Sequence, residues 1–124
     1  MPPRSAPPFA VFQPRGSLDW LVAVGEVDLN TAPTLSVAIE VSEKLEPPRL
    51  TVDLAGVTFI DASGLRVLLQ AARRARDAGR RFVVGRPSPQ VVRLLELTAI
   101  RQSLEIGSAA PPLELAAMAR VRSA

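Results

Sequence analysis

The residues with the clearest potential for chemistry lie in the segment Phe59-Ile-Asp-Ala-Ser-Gly-Leu-Arg66, between an apolar stretch and a helix-like pattern. Taken singly, each has a structural explanation. Ser63 can cap a helix, Asp61 is favoured near a helix N-terminus by the helix dipole, and Gly64 fits where packing is tight. Taken together, they place a hydroxyl at a helix start that another protein can reach.

A hydroxyl in this position can receive a phosphate, which adds about −1.5 to −2 charges. A helix N-terminus favours negative charge, so the modification need not unfold the domain. Asp61 and Asp28 are expected nearby. A partner that matches the unmodified surface would then meet like-charge repulsion, which lowers affinity strongly. The pattern therefore indicates a switch that acts on a partner.

The composition excludes much other chemistry. The 124 residues contain no histidine, no cysteine and no tyrosine, which excludes a serine–histidine triad, a cysteine nucleophile and a histidine- or cysteine-ligated metal. An all-oxygen site for magnesium or calcium, and acid–base work by Asp28 and Asp61, remain open. No Gly-x-x-x-x-Gly-Lys phosphate loop occurs. We expect a protein that is not an enzyme, without catalytic residues, bound metal or cofactor.

The charge distribution argues against nucleic acid as a direct partner, although the sequence pI is about 10.9. The stretch from Arg66 to Arg86, here called the basic belt, holds seven arginines and one aspartate, a net charge of +6. Residues 1–65 hold four basic and eight acidic residues, a net charge of −4. Aromatic residues make up only 4% of the chain, so few side chains can stack on bases.

Hydrophobic patterning predicts alternating strands and helices. The predicted strands are residues 9–12, residues 20–24 closed by Gly25, residues 49–54 followed by a turn at Gly56, residues 81–85 and residues 104–106. The predicted helices are residues 30–45, a helix capped by Ser63 and stopped by Gly79, a helix that begins at Ser88-Pro89, and residues 113–121. This alternation is typical of an α/β fold with a partly parallel sheet.

The first predicted helix has two faces. Leu35, Ala38, Ile39 and Ser42 follow helical spacing and are expected to point inward. Val37 and Val41 lie on the outer side, four residues apart. This apolar pair is either neutral surface or part of a partner-binding patch beside Ser63.

The first eight residues, Met1-Pro-Pro-Arg-Ser-Ala-Pro-Pro8, are predicted to form a disordered proline-rich tail before a single domain at residues 9–122. The tail has no apolar core of signal-peptide length, and no stretch of about 18 apolar residues occurs. The absence of cysteine gives no sign of an oxidising compartment. We expect a cytoplasmic protein with no membrane partner.

Three segments carry a resemblance to a known family. Val52-Asp-Leu-Ala-Gly-Val-Thr-Phe-Ile-Asp-Ala-Ser-Gly-Leu65 resembles the signature of STAS domains, specifically the bacterial anti-sigma factor antagonists. Gly25-Glu-Val-Asp-Leu29 is similar to the family's turn before its first helix. The segment from Phe82 to Leu97 is similar to its later strand–helix unit. The three motifs occur in the family's order.

The resemblance implies the STAS fold, a small mixed sheet covered on one face by about four helices. It also implies an anti-sigma factor antagonist, which in its unphosphorylated form binds and sequesters an anti-sigma factor and so frees a sigma factor. That partner is often a serine kinase of GHKL type, whose phosphorylation of the antagonist ends the complex. A metal-dependent serine phosphatase restores it.

Matching the motif residue by residue places the phosphoacceptor on Ser63. The match implies a partner-binding surface that comprises Asp28, Asp61, Ala62, Gly64 and Leu65. The pattern of the first helix adds Val37 and Val41 to it. Ala62 stands where many family members carry a second serine, so Ser63 is the only hydroxyl of the motif. The alternative is a constitutive STAS interaction module of a transporter or a stress-sensing complex, in which the serine only caps the helix.

Overall fold

The computed structural model describes residues 8–109. Its strands are β1 (Ala10–Phe12), β2 (Trp20–Val27), β3 (Arg49–Ile60), β4 (Arg81–Gly85) and β5 (Glu105–Gly107). Its helices are α1 (Ala32–Glu43), α2 (Ala62–Asp77) and α3 (Pro89–Leu97), and a 3-10 turn at Ile100–Ser103 precedes β5. The predicted tail, apart from Pro8, and the predicted helix at residues 113–121 lie outside the described residues.

The strands form one mixed sheet in the order β1-β2-β3-β4-β5. β1 pairs antiparallel with β2, and the other neighbouring strands pair in parallel. The prediction of a partly parallel sheet is therefore confirmed. Because β2 and β3 run in parallel, the loops that follow them leave the same edge of the sheet. This edge holds the segment that the sequence singles out.

The helices cover one face of the sheet. Alternate strand positions, such as Leu21, Val52 and Val84, are buried in one cluster with apolar residues of all three helices. Trp20 and Val22 belong to a separate, smaller cluster of the β2 side chains that point the other way. The expected one-sided arrangement is confirmed, with three helices in the described part of the chain.

Two strands are longer than the sequence predicts. β2 continues through Gly25 to Val27, and β3 continues through Gly56 to Ile60. Gly25 has φ +98°, and the β2–β3 register shifts directly after it, so this glycine makes a bulge rather than ending the strand. A Cβ on Gly56 would lie 2.7 Å from Cγ1 of Val24, so Gly56 permits close strand packing instead of forming the expected turn.

The helices otherwise follow their predicted signals. Leu35, Ile39 and Ser42 of α1 are buried as expected. Ser88 caps α3 by accepting a hydrogen bond from the backbone N–H of Val91, at 3.4 Å. Gly79, with φ +72°, follows the end of α2, as the prediction requires.

The basic belt is partly neutralised within the fold. Three of its arginines form ion pairs with acidic residues: Arg74 with Glu43 at 2.9 Å, Arg86 with Asp53 at 3.0 Å, and Arg81 with Glu105. The hydrogen bond from Arg81 lowers the pKa of Glu105. The belt therefore joins α2 to α1 and β4 to its neighbouring strands, rather than presenting seven unpaired cations to a nucleic acid.

Candidate functional site

The candidate site lies at the carboxyl edge of the central strands. Val27 ends β2 and Ile60 ends β3, and the two residues are paired in the sheet. The backbone N–H of Asp61 donates a hydrogen bond of 3.1 Å to the carbonyl of Val27. The residues that follow each strand, Asp28 and Asp61, therefore lie in adjacent loops, as the sequence predicts.

Asp28 organises the turn that leads into α1. Its carboxylate accepts hydrogen bonds from the backbone N–H groups of Asn30, at 2.9 Å, and Thr31, at 3.1 Å. The Thr31 hydroxyl donates to the carbonyl of Glu26 at 2.8 Å and accepts from the N–H of Asp28 at 2.9 Å. These bonds close the loop between β2 and α1 and fix the Asp28 carboxylate in the turn that leads into α1.

Asp61, not Ser63, caps α2. The Asp61 carboxylate accepts hydrogen bonds from the N–H groups of Ser63, at 2.8 Å, and Gly64, at 3.3 Å. The prediction of a serine cap is therefore wrong, because a charged acceptor two residues earlier in the chain takes the orphan amides of the first turn. Ser63 is the second residue of the helix, half-buried, and its hydroxyl makes no hydrogen bond to any described residue.

Gly64 and Leu65, which the sequence places in the partner-binding surface, face the core instead. A Cβ on Gly64 would lie 2.5 Å from Cγ1 of Ile60 and 2.7 Å from Cγ1 of Val27. Leu65 is buried in the main hydrophobic cluster. Glycine lets the first turn of α2 rest directly on the ends of β2 and β3, and this contact fixes the position of Ser63.

Exposed apolar side chains occur on α1 and in the segments that form the site. Ala62 is exposed, and so are Val37 and Val41 of α1, which retain 59% and 57% of their accessible surface. Two further apolar side chains that the sequence analysis missed are Leu29, 74% exposed, and Phe59, 47% exposed. Leu29 follows Asp28 and Phe59 precedes Ile60, so both belong to the chain segments that form the site.

One feature of the sequence predicts the exposure of Leu29. This leucine lies in a polar turn between Asp28 and Asn30, where no helix or strand periodicity places it in the core. No feature of the sequence predicts the exposure of Phe59, because the predicted strand ends at residue 54, five residues before Phe59. It lines an open cavity of about 230 Å³ between the end of β3 and α3, together with Arg93, Leu97 and neighbouring residues.

No group of three or more acidic residues in residues 8–109 is placed to hold a metal ion. The carboxylates of Asp28 and Asp61 accept backbone hydrogen bonds that shape the two loops.

A larger cavity, of about 250 Å³, lies away from this site. It is lined by Trp20, Arg49 and Arg81 among others, whose strand positions belong to the face of the sheet opposite the helices. Among residues 8–109, no helix is long and apolar enough to span a membrane.

Comparisons with known proteins agree on one family. The family described as Mlab, STAS domain, matches residues 13–120. An anti-sigma-B factor antagonist of Listeria monocytogenes is 35% identical over 89 residues, which cover 72% of this chain and 77% of the relative.

Solved structures show the same fold. An anti-sigma factor antagonist from Mycobacterium paratuberculosis is 28% identical, with a TM-score of 0.67 over 90% of this chain and 92% of that chain. The unphosphorylated form of the Bacillus anti-sigma factor antagonist SpoIIAA is 18% identical, with a TM-score of 0.62 over 94% of this chain and 98% of that chain. At that identity the second match is a similarity of fold.

The capping geometry predicts which substitutions affect stability. Asp61→Ala should lower the free energy of unfolding by about 0.5–2 kcal/mol, because two amides of the first turn lose their acceptor. Asp61→Asn should retain most of the stability, since asparagine caps helices about as well as aspartate. Ser63→Ala is the matched control and should change stability by less than about 0.5 kcal/mol. Denaturant unfolding measures all three, and a larger loss for Ser63→Ala than for Asp61→Ala would contradict the assignment of the cap.

Proposed function

The chain belongs to the STAS domain family, and on this premise we propose that it is an anti-sigma factor antagonist controlled by phosphorylation of Ser63. In its unphosphorylated form it binds and sequesters an anti-sigma factor, which frees a sigma factor. The antagonist names of the Listeria relative and of the Mycobacterium structure support this role. The protein acts as a regulatory binding partner, not as an enzyme.

The observation that carries the proposal is the state of the Ser63 hydroxyl. It lies in the first turn of α2, half-buried, and it makes no hydrogen bond to a described residue. The helix start is held by Asp61 and by the seating of Gly64. A phosphate can therefore be added to Ser63 without breaking a described hydrogen bond, so the fold tolerates the modification and the effect falls on the partner.

The partner-binding surface that we propose has an acidic centre and apolar flanks. Asp28 and Asp61 lie in its two loops, Ala62 and Ser63 lie at the helix start, and Val37 and Val41 extend it along α1. A phosphate adds about −1.5 to −2 charges beside the two carboxylates. An apolar partner surface that packs on the unmodified site must then leave the phosphate poorly solvated, which weakens the complex.

The partner that we propose is an anti-sigma factor that is itself a serine kinase of GHKL type, with a metal-dependent serine phosphatase as the opposing enzyme. The alternative, a constitutive interaction module without a phospho-switch, treats Ser63 as a helix cap. The capping hydrogen bonds of Asp61 remove that explanation for the serine. We therefore favour the switch.

Incubation with the cognate anti-sigma kinase, ATP and magnesium should add one phosphate to the chain, located on Ser63 by mass spectrometry of the intact and digested protein. Ser63→Ala should abolish the incorporation because it removes the acceptor oxygen. Ser36→Ala removes a hydroxyl on α1 that already donates to Glu40, and it should leave the incorporation unchanged. Equal labelling of the Ser63→Ala protein would refute the proposed acceptor.

The apolar flank of the surface can be tested separately. Val37→Asp and Val41→Asp should each weaken binding of the unmodified protein to the anti-sigma factor by tenfold or more, that is about 1.4 kcal/mol, because each places a charge in the interface. Leu18→Asp is the matched control, since Leu18 is equally exposed but lies in the loop before β2, at the opposite edge of the sheet. Titration calorimetry measures the three affinities. Wild-type affinity in both valine variants would show that α1 is not part of the interface.

A further inference from the structure

The backbone around Ser63 offers few free hydrogen-bond donors to a phosphate. The amides of Ser63 and Gly64 already donate to the Asp61 carboxylate, at 2.8 and 3.3 Å. The N–H of Leu65 donates to the Asp61 carbonyl at 3.0 Å. The orphan amides that make a helix start a ready anion site are therefore largely used. A phosphate here gains from the helix dipole but needs another group to bind its oxygens.

The position of Arg66 in α2 allows its side chain to bind these phosphate oxygens. It lies three residues after Ser63 in α2, and side chains at this spacing are neighbours on one helix face, with about 5–6 Å between their Cβ atoms. Arg66 is exposed and forms no ion pair with a described residue. Its guanidinium presents five N–H donors in a planar fork that matches phosphate oxygens.

The other arginines of α2 do not meet the same conditions. Arg74 is ion-paired with Glu43 through Nε, at 2.9 Å. Arg73 and Arg76 are exposed but lie ten and thirteen residues beyond Ser63, which at 1.5 Å per residue is roughly 15–20 Å along the helix axis. Only Arg66 of this helix can reach a phosphate on Ser63 without moving the backbone.

We infer that Arg66 binds the phosphate on phosphorylated Ser63, and that in the unmodified protein the same guanidinium is available to an acidic group of the partner. This inference rests on the proposed phosphorylation of Ser63. The phosphate then acts in two ways. It adds negative charge beside Asp28 and Asp61, and it withdraws from the interface the cation that lies nearest along α2.

The phosphate itself reports the contact. Phosphoserine can be installed at position 63 by genetic-code expansion, which requires neither the kinase nor the partner. A ³¹P NMR titration then gives the second pKa of the phosphate, which is near 6 for an unperturbed phosphoserine. A nearby guanidinium favours the dianion and lowers this pKa. Arg66→Gln should therefore raise it by about half a unit or more, and Arg66→Lys should restore part of the lowering.

Arg73→Gln is the matched control, since it removes the same charge from the same exposed helix face at a distance, and it should leave the ³¹P titration unchanged. Arg93→Gln tests the arginine that lines the cavity beside Phe59. Identical titrations for the wild-type and Arg66→Gln proteins, or a rise with Arg93→Gln in place of Arg66→Gln, would overturn the inference. Failure of the kinase to label Ser63 would instead refute the proposed function, so the two failures are distinguishable.

Discussion

The site depends on the hydrogen bonds that Asp61 makes. Its N–H donates to the carbonyl of Val27 and so joins the ends of β2 and β3, while its carboxylate accepts the first amides of α2. One residue thus ends a strand, caps a helix and fixes the distance between two loops. Gly64 completes the junction, because any side chain there would collide with Ile60 and Val27. These two residues hold the junction, and the Ser63 hydroxyl beside them makes no hydrogen bond to any of residues 8–109.

The charges of the chain are arranged around the same junction. The acidic first half of the sequence places Asp28 and Asp61 at the carboxyl edge of the sheet, whereas three arginines of the basic belt pair with Glu43, Asp53 and Glu105 elsewhere in the fold. The phosphate that we propose on Ser63 therefore adds negative charge to an edge that already holds two carboxylates, on a protein whose total charge is +3. For this reason the average charge is a poor guide to the partner, and the charges within one helical turn of Ser63 matter most.

The sequence predicted the order of elements well, since strands and helices of this length leave clear periodicity and the stops at Gly79 and Ser88-Pro89 are local signals. It was less successful where two nearby residues can both perform one structural role. Ser63 and Asp61 can both cap a helix, and only the path of the chain after Ile60 decides that Asp61 does. The sequence predicts a strand end at Gly25 and a turn at Gly56, because a bulge and a close strand contact both depend on the neighbouring strand. The exposure of Phe59 likewise depends on how far β3 continues.

We propose above all that a phosphate on Ser63 changes binding without changing the fold. The most direct measurement compares the affinity for the anti-sigma factor of unmodified protein and of protein carrying phosphoserine at position 63, with amide NMR spectra of both. We expect an affinity loss of a hundredfold or more, about 2.7 kcal/mol, with spectral changes confined to the first turn of α2 and the loops of Asp28 and Asp61. Equal affinities would contradict the phosphorylation switch. Spectral changes throughout the sheet would contradict the claim that the phosphate leaves the fold unchanged.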